Sequence, residues 1–439
     1  MIRFIFIGIT DNPEPFFAPE VLEIIRNGRV FSGGRRHHEI VASLLPEGAK
    51  WIDITVPLDK VIEEYREEGR RKRDEGTLQR TAGHGGTVTI VTFVSGDPLF
   101  FGFANTIKRR MPEAEIVVYP TFNSLQMLAH RLVMPYHDMR IVSLTGRPWQ
   151  EFDKALIEGA EKIGVLTDKE HNPASIARRM TEYGYTHYDM YVGEHLGNPE
   201  TEKVSSLSLE EASERSFSMP NCLMLVSNSK SNCLMLVSNR KCKPELSNHT
   251  SKPRFGIPDS DFVLLDGREK MITKMPIRLL TLQALGLPER RVFWDIGFCT
   301  GSVSIEVRLQ FPHLQIEAFE IRPECEAIIN ENTRKHGAPG IGVHIGDFLK
   351  ADISTLPRPD AVFIGGHGGY LKEIMEKVLT VLSDEGVIVF NSVVAPKVTT
   401  DSCQLWDKAC EELGLHQEQP LHIQLNDNHP ITILKCRKP

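Results

Sequence analysis

The segment VFWDIGFCTGSVSIE (292–306) constrains the fold of this chain more than any other. Its apolar start, its glycines and its mixed end predict a buried strand, a tight turn and the first residues of a helix. That arrangement places a nucleoside ligand against a protein backbone. About twenty residues further on, QIEAFEI (315–321) predicts a second strand, and Glu320 near its end could accept hydrogen bonds from both hydroxyls of a ribose.

The spacing of the small residues distinguishes between two classes of nucleotide site. A dinucleotide site requires G-x-G-x-x-G, because larger side chains at those positions obstruct the pyrophosphate. Here the corresponding residues are Gly297, Cys299 and Ser302, so the fit is poor. Asp295 would repel a pyrophosphate, whereas its carboxylate would attract a ligand that carries ammonium and sulfonium charges. The pattern therefore predicts a site for S-adenosylmethionine and, with it, a methyltransferase.

Gly346 and Asp347 follow the next predicted strand, IGVHIGD, and Asp347 could accept a hydrogen bond from the adenine amine. A generic α/β turn with surface acids would explain any one of these features, but three of them in register favour a ligand site. The residues predicted to bind the donor in this half are Asp295, Gly297, Gly301, Glu320, Gly346 and Asp347.

A loop of four glycines around His367 follows the predicted strand DAVFIGG. Gly365, Gly366 and Gly368 would allow a large flat substrate to approach the backbone closely. His367 is the candidate proton shuttle, although a solvated histidine in a flexible loop explains it equally well.

Two features of this half leave alternatives open. Cys299 stands where a glycine is usual; it is small enough to be tolerated if its backbone keeps a negative φ, but it could crowd the ligand. Thr273, Lys274 and Arg278, ahead of the first strand, could meet a carboxylate of the donor or the substrate, or they could lie on the solvated surface.

In the first half, strand and helix patterns alternate from IRFIFIGI (2–9) onward, which predicts an α/β domain with a largely parallel sheet. The strand TVTIVTFV (87–94) ends at Ser95-Gly96-Asp97-Pro98. Asp97 could cap the next helix and Gly96 could let a ligand touch the backbone, so Ser95, Gly96 and Asp97 are predicted to bind the cofactor. Taken alone, this is an ordinary strand-to-helix turn.

Two groups of cations occur in the first half of this acidic chain. Arg35 and Arg36 are predicted to bind substrate carboxylates through charge-assisted hydrogen bonds. The run RRKR (70–73) is better explained as a solvated helix face.

Length and composition exclude several classes of protein. A chain of 439 residues exceeds what one hydrophobic core usually supports, so two domains are expected. The net charge of −7 does not favour nucleic-acid binding, and no apolar run approaches the ~18 residues needed to span a membrane. The eight cysteines form no C-x-x-C pair, which predicts neither a metal site nor a disulfide framework and suits the cytoplasm.

A tandem repeat marks the predicted domain boundary. NCLMLVSNSKS (221–231) is followed at once by NCLMLVSNRKC (232–242). We expect the first copy to be the last strand of the first domain, and the second copy to be surplus in the linker. The predicted division is therefore a first domain over 1–230, a duplicated segment and linker over 231–254 and a second domain over 255–439.

With these motifs in hand, both halves resemble known families. VSGDPLFFG (94–102), YPTFNSLQMLAHRL (119–132) and VGEHLGNPETE (192–202) resemble the tetrapyrrole methylases of cobalamin biosynthesis that act at C-5. WDIGFCTGSVSIE (294–306) and DAVFIGGHGG (360–369) resemble the domain that methylates C-15 and decarboxylates. Fusions in this order form the family of precorrin-6Y C5,15-methyltransferases (decarboxylating).

The chain departs from the pattern of these families in four places. The family's glycine-proline loop after the first strand is reduced here to GITDNP (8–13). Cys299, His367 and the duplicated segment are the other deviations.

The resemblance implies a two-subdomain tetrapyrrole methylase fold followed by a Rossmann-like class I methyltransferase fold, with one S-adenosylmethionine per domain. It implies methyl transfer to C-5 and C-15 of precorrin-6B, with loss of the C-12 acetate carboxyl to give precorrin-8. It also implies a cytoplasmic homo-oligomer that binds neither nucleic acid nor membrane. A cobalt-containing substrate, another tetrapyrrole, or a tetrapyrrole-binding protein with one inactive half remain alternatives.

Overall fold

The computed structural model describes residues 1–76, 87–228, 255–268, 270–393, 402–425 and 430–438. These residues form two compact units. The first unit comprises Met1–Arg147, Glu161–Arg178 and His187–Ser229, and the second comprises Pro148–Ala160, Arg179–Thr186 and Lys230–Pro439. The second copy of the repeat and the linker that follows it lie outside the described residues.

The first unit begins with a parallel five-stranded sheet. Its strands are β1 (Ile2–Ile9), β2 (Val30–Gly33), β3 (Lys50–Asp53), β4 (Val88–Ser95) and β5 (Glu115–Tyr119), in the order β3-β2-β4-β1-β5. The helices between them are α1 (Pro19–Asn27), α2 (Arg35–Val41), α3 (Leu58–Gly76) and α4 (Phe103–Arg110), with a 3₁₀ turn at Ala42–Leu44. Because β1 and β4 are adjacent and parallel, Ile9 lies opposite Ser95 and both loops that follow open at one edge.

A second five-stranded sheet completes the first unit. Its strands are β6 (Arg140–Ser143), β7 (Lys162–Leu166), β8 (Tyr188–Glu194), β9 (Lys203–Leu207) and β10 (Asn221–Ser227), in the order β6-β7-β10-β8-β9. Strand β10 is the first copy of the repeat, as the sequence predicted. The pairs β7–β10, β10–β8 and β8–β9 are antiparallel, so only β6–β7 follows the parallel pattern expected from strand-helix alternation.

Four further helices fall within the first half of the chain. They are α5 (Ser124–Arg131), α6 (Gln150–Ile157), α7 (Pro173–Glu182) and α8 (Leu209–Glu214). Asn123 caps α5 by accepting from the backbone N–H of Gln126, whose side chain in turn accepts from the N–H of Asn123. This reciprocal pair satisfies donors that a helix start otherwise leaves free.

The second unit contains an eight-stranded sheet. Its strands are β11 (Val292–Ile296), β12 (Gln315–Glu320), β13 (Ile341–Ile345), β14 (Ala361–Ile364), β15 (Val387–Val393), β16 (His416–Gln417), β17 (Leu421–Ile423) and β18 (Ile431–Arg437). The order is β13-β12-β11-β14-β15-β18-β16, with β17 also paired to β18. The first five strands are parallel and β18 is antiparallel to β15.

Helices flank this sheet, which is why β11 is buried along its whole length. They are α9 (Met275–Leu285), α10 (Ser302–Gln310), α11 (Glu324–His336), α12 (Leu371–Leu379) and α13 (Ser402–Glu412), with 3₁₀ turns at Asp259–Asp261 and Leu287–Glu289. In a parallel sheet the carboxyl ends of neighbouring strands meet at one edge. That edge brings the loops after β11, β12 and β14 together.

Arg278 on α9 is 0% exposed, so neither the surface nor the ligand-binding alternative describes it. Its guanidinium donates to Glu306 of α10 at 3.0 Å and to the carbonyl of Thr273 at 2.8 Å. Glu306 also accepts from the backbone N–H of Ile257 at 3.3 Å. Breaking a buried, hydrogen-bonded ion pair of this kind costs about 3–5 kcal/mol, so Arg278 fixes the chain near residue 257 onto α9 and α10.

Within the described part of the chain, no helix is both long and apolar enough to cross a membrane.

Candidate functional site

The loop after β11 is built from residues with positive φ. Gly297, Cys299 and Gly301 have φ values of 81°, 48° and 73°. A Cβ on Gly297 would lie 2.7 Å from the backbone nitrogen of Gly366, and one on Gly301 would lie 2.5 Å from the side chain of Ile329. Both glycines are therefore required by close packing as well as by backbone conformation.

Cys299 has a positive φ, so the condition under which the backbone would tolerate it without strain is not met. Its backbone N–H donates to Oε2 of Glu320 at 3.0 Å, which offsets the cost of about 1–2 kcal/mol for a left-handed non-glycine residue. The side chain is 7% exposed, and burial raises the pKa of its thiol. Cys299 is thus a packed residue of the loop, without the features of a reactive thiolate.

Asp295 lies beneath this loop with 1% of its surface exposed. Its Oδ2 accepts from the hydroxyl of Ser304 at 2.6 Å, while its Oδ1 is buried without a hydrogen-bond partner among the described residues. Burial is the main cause that raises the pKa of Asp295 to about 7; the Ser304 hydrogen bonds oppose it, and the charge of Glu320 adds to it. A buried acceptor without a donor costs about 1–3 kcal/mol, so a ligand ammonium at Oδ1 would relieve that cost.

Glu320 ends β12 and ties it to the glycine loop. Its Oε1 accepts from the backbone N–H of Ile321 at 3.0 Å and from the guanidinium of Arg322 at 2.9 Å, and its Oε2 accepts from Cys299. The carboxylate is 3% exposed. Because each carboxylate oxygen has about two lone-pair positions, Oε2 can accept one more hydrogen bond, as a ribose hydroxyl would require.

Gly346 and Asp347 lie beside Glu320, as their order in the sheet requires. The N–H of Gly346 donates to the carbonyl of Glu320 at 2.8 Å, and no described residue lies within 4 Å of the position of its Cβ. Asp347 accepts from the backbone N–H of Leu349 at 3.0 Å and lies 3.4 Å from the ammonium of Lys350. Its contact with an adenine amine stays a prediction.

The glycine loop after β14 lies against the loop after β11. The N–H of Gly365 donates to the carbonyl of Ile296 at 2.8 Å. Nδ1 of His367 accepts from the N–H of Gly369 at 3.1 Å, and its ring packs edge-on against Phe390 with centroids 5.6 Å apart. Burial lowers the pKa of His367, so the imidazole is neutral at pH 7. No described residue lies within 4 Å of the Cβ positions of Gly366, Gly368 and Gly369. The roles of this loop stay predictions.

The first unit contains a cavity of about 110 Å³ where β1 and β4 end. Ser95 and Gly96, two of the predicted cofactor residues, line it together with Thr10 and Asp11. A Cβ on Gly8 would lie 1.9 Å from the carbonyl oxygen of Gly96, so the end of β1 is in backbone contact with the turn after β4. This is the second site at the end of a strand, after the one that follows β11.

A network of charged and polar side chains borders this cavity. Arg36 forms an ion pair with Asp11, which is 9% exposed, and donates to the hydroxyl of Ser95 at 2.7 Å. Nε2 of His37 lies 3.0 Å from the same hydroxyl, and Nδ1 of His195 lies 2.8 Å from Oδ2 of Asp11. Desolvation, reinforced by the charge of Arg36, lowers the pKa of His37 to about 4.

Arg36 and Ser95 are predicted from the sequence as site residues, whereas Asp11 and His195 are not. Asp11 had a visible signal, because it follows β1 at the edge where Ser95 follows β4. His195 had none: it is 184 residues away along the chain, and only the packing of the two sheets brings it to Asp11.

Two other predicted residues of the first unit lie outside this network. The side chain of Arg35 is 93% exposed and pairs with Glu39 at 3.2 Å, so its contact with substrate stays a prediction. Asp97 does not cap helix α4, which begins only at Phe103 after Gly102; it accepts instead from the N–H of Leu99 at 2.8 Å. The positive φ of Phe101, 53°, interrupts helical geometry before that point.

Comparison with known proteins matches both halves. A family described as Tetrapyrrole (Corrin/Porphyrin) Methylases matches residues 4–213, and one described as Precorrin methyltransferase domain matches residues 266–422. A relative from Sinorhizobium sp, named precorrin-6Y C(5,15)-methyltransferase [decarboxylating], is 30% identical over 388 residues, covering 88% of this chain and 84% of its own.

Two shorter proteins also match. Cobalt-precorrin-6B C(15)-methyltransferase (decarboxylating) from Salmonella typhi is 31% identical over 188 residues, covering 40% of this chain and 95% of its own. A crystal structure of precorrin-6Y C5,15-methyltransferase from Geobacter metallireducens GS-15 is 32% identical and covers 43% of this chain and 99% of its own, with a TM-score of 0.37.

Proposed function

The chain belongs to the family of precorrin-6Y C5,15-methyltransferases (decarboxylating), and we propose from this premise how its two units divide the reaction. It is a methyltransferase of cobalamin biosynthesis that methylates C-5 and C-15 of precorrin-6B and removes the carboxyl of the C-12 acetate, giving precorrin-8. The first unit acts at C-5 and the second at C-15 and C-12. The functional domains are 1–230 and 255–439, joined by 231–254.

One observation in the second unit carries the assignment of a donor site there. Asp295 has a buried oxygen without a hydrogen-bond partner, directly beneath a loop that three positive-φ residues hold against Glu320. S-adenosylmethionine supplies an ammonium that fits that oxygen, ribose hydroxyls that fit Glu320 and a sulfonium methyl as the electrophile. The residues that would bind it are Asp295, Gly297, Gly301 and Glu320, with Gly346 and Asp347 beside the adenine.

The chain's own contribution to the transfer is position and exclusion of water. The macrocycle has electron-rich carbons, so the carbon needs little activation by a base. The described part of the chain leaves room around Gly366 and Gly368, where a flat substrate could lie against the loop after β14. Placement of the reacting carbon in line with the methyl group would then supply most of the rate enhancement.

Decarboxylation at C-12 needs an electron acceptor and a proton source. The conjugated imines of the ring accept the electron pair of the broken carbon–carbon bond. His367 is neutral because burial lowers its pKa, and its Nδ1 is occupied by the N–H of Gly369, so Nε2 carries the ring proton. Nε2 of His367 therefore suits donation of a hydrogen bond to the ring at C-12. A neutral imidazole is too weak an acid to give up that proton, so the proton that replaces the carboxyl comes from solvent.

The first unit would hold a second donor molecule at the cavity bordered by Ser95 and Gly96. Arg36 and Asp11 form an ion pair at that cavity. The hydroxyl of Ser95 holds Arg36, and His195 holds Asp11. Arg36 keeps further N–H donors for a substrate carboxylate. Arg35 is placed on the exposed side of α2, where it would meet a carboxylate that extends from the ring.

Incubation of the enzyme with precorrin-6B and labelled donor, followed by mass analysis, tests the proposal. Two added methyl groups and loss of one carbon dioxide are expected. One methyl group without loss of carbon dioxide would contradict it for the second unit, and methyl transfer to neither carbon would contradict it altogether.

The cobalt-containing form of the same substrate is a second candidate, because a relative 31% identical to part of this chain is named for cobalt-precorrin-6B. Parallel assays with the metal-free and the cobalt-containing ring distinguish the two by their kcat/KM values. We place the enzyme in the cytoplasm as a homo-oligomer without nucleic-acid or membrane partners; sedimentation of the purified protein tests its oligomeric state.

A further inference from the structure

The first unit has a second cavity, of about 370 Å³, next to the turn that follows Ser95-Gly96-Asp97-Pro98. It is lined by Leu99–Gly102, by residues of α4 and by Arg147 after β6. Its volume is within the range of small-molecule sites. The same strand-end turn therefore borders the donor cavity on one side and this larger cavity on the other.

The turn presents apolar side chains to this cavity. Phe101 adopts a φ of 53° and is 46% exposed; Leu99 is 51% exposed. A Cβ on Gly102 would lie 2.2 Å from the carbonyl oxygen of Pro98, and the amide of Asn105 donates to the carbonyl of Leu99 at 2.7 Å. A strained bulky residue held this firmly, with its ring toward solvent, indicates a functional constraint on the turn.

Two guanidinium groups border the same cavity. The guanidinium of Arg147 lies 5.2 Å from the centroid of the Phe101 ring, and its Nη1 donates to the hydroxyl of Ser143 at 2.5 Å. Arg109 projects from the second turn of α4. Among the described residues, no carboxylate lies within 4 Å of either arginine, although the chain carries 58 acidic residues against 51 basic ones.

The next residue of α4 provides the contrast. Arg110 pairs with Asp59 and does not line the cavity. The charge of Arg110 is therefore neutralised within the protein, whereas Arg109, which lines the cavity, can bind an external anion. Arginine forms two parallel hydrogen bonds to a carboxylate, which makes it suited to a polyacid ligand.

We propose that Arg109 and Arg147 bind two peripheral carboxylates of the macrocycle while Phe101 and Leu99 pack against its face. This inference rests on the proposed function, because it identifies where the acidic ring would bind during methylation at C-5. The ligand class is a planar tetrapyrrole with several carboxylates. The turn at Leu99–Gly102 would set the ring beside the donor cavity.

The test compares Arg109→Ala, Arg147→Ala and the double variant with the wild-type chain. We expect each single variant to raise the KM for the macrocycle in C-5 methylation about tenfold and the double variant about 100-fold. The KM for the methyl donor and the rate of C-15 methylation by the same chain should stay within twofold. Arg147→Lys should restore part of the loss, because it keeps the charge and loses the paired donors.

Arg110→Ala is the matched control, since it removes an exposed arginine from the same helix outside the cavity, and its KM values should equal those of the wild type. A double variant whose KM for the macrocycle stays within twofold of wild type would overturn the proposal. So would a parallel loss of C-15 methylation, which would indicate a folding defect in place of a lost contact.

Binding of uroporphyrin, a stable planar octacarboxylate, separates this inference from the proposed function. Its binding, followed by fluorescence quenching at low and high salt, requires no methylation. If the wild type methylated nothing, the proposed function would fail. Weaker and less salt-dependent uroporphyrin binding by the double variant would still support carboxylate binding by Arg109 and Arg147. Unchanged uroporphyrin binding by the double variant would overturn the role of these two arginines and leave the proposed function intact.

Discussion

The site after β11 in the second unit and the site after β1 and β4 in the first unit differ in the groups that form them. In the second unit, Asp295 and Glu320 are almost wholly buried and are surrounded by backbone that positive-φ residues hold in place. In the first unit, Asp11, Arg36 and His195 form a charged network at the edge of a small cavity. One site is thus defined by backbone shape and a single unsatisfied oxygen, and the other by mutual neutralisation of side chains.

This difference has an electrostatic consequence. Burial raises the pKa of Asp295 to about 7, whereas desolvation and Arg36 lower the pKa of His37 to about 4. At pH 7 the second site therefore holds a carboxyl near its midpoint, ready to ionise when a cation arrives, while the first keeps a neutral histidine against an arginine. The two sites should respond to pH and to mutation independently and with opposite signs.

Asp295→Ala should have the largest effect. Removing the buried carboxyl leaves the donor's ammonium without a partner, so C-15 methylation should fall at least 100-fold while C-5 methylation is retained. Mass analysis of the product should show one added methyl group and no loss of carbon dioxide. If both methylations disappeared in a folded protein, the assignment of one site to each unit would be wrong.

Asp11→Ala is the reciprocal change and should act on the other activity. Arg36 and His195 would lose their shared partner, so C-5 methylation should fall about 10- to 100-fold, with C-15 methylation within twofold of wild type. The same product analysis distinguishes the two variants. Equal loss at both carbons would show that the network supports the whole fold and no single site.

Asp295→Asn should change the pH dependence of stability. Because the folded-state pKa of Asp295 is raised from 3.8 to about 7, the folded chain binds the extra proton between those values, and stability decreases as pH rises through that window. The asparagine cannot ionise, so at pH 8 the variant should be more stable than wild type by at most about 4 kcal/mol, with no difference near pH 4. Thermal unfolding from pH 4 to pH 8 measures the difference in stability between the variant and the wild type. A difference that grew toward acid pH would contradict a pKa of Asp295 raised by burial.

His37→Gln should also change how stability depends on pH, but in the opposite direction to Asp295→Asn and by a smaller free energy. The folded-state pKa of His37 is lowered from 6.5 to about 4, so its contribution to stability is lost as pH falls from 6.5 toward 4. The variant lacks this group, and it should therefore lose less stability on acidification than wild type, by roughly 2 kcal/mol. Thermal unfolding of both proteins at pH 7 and at pH 4.5 provides the comparison. Parallel losses in the two proteins would show that His37 does not titrate in this range.

Cys299→Gly should have the smallest effect. Glycine relieves the left-handed backbone at φ 48°, which favours the variant by about 1 kcal/mol, while loss of the buried thiol offsets part of the gain. Cys299→Ala keeps the strain and loses the sulfur, so it should be less stable than wild type. If both variants lowered the melting temperature equally, the strain at Cys299 would be negligible.

The sequence predicted the second site more completely than the first. Asp295, Gly297 and Gly301 lie within seven consecutive residues, and Glu320 follows on the adjacent parallel strand, so local pattern and sheet geometry suffice to bring them together. The first site takes Asp11, Arg36, Ser95 and His195 from four separate segments of the chain. Its assembly depends on how two sheets pack, which no local pattern encodes.

The individual errors have local causes. Asp97 was expected to cap α4, but the left-handed Phe101 delays the helix to Phe103. The antiparallel pairs of the second sheet could not be seen from strand-helix alternation, because β10 returns between β7 and β8. The buried ion pair of Arg278 could not be predicted from the sequence, because its partner Glu306 lies on another helix. Packing between the two helices brings the residues together, and no spacing in the sequence indicates it.

Calorimetric titration with S-adenosylmethionine tests most directly the claim that each unit has its own donor site. The wild-type chain should bind two equivalents, and Asp295→Ala should bind one. A single equivalent bound by the wild type, or two by Asp295→Ala with unchanged affinities, would contradict the claim.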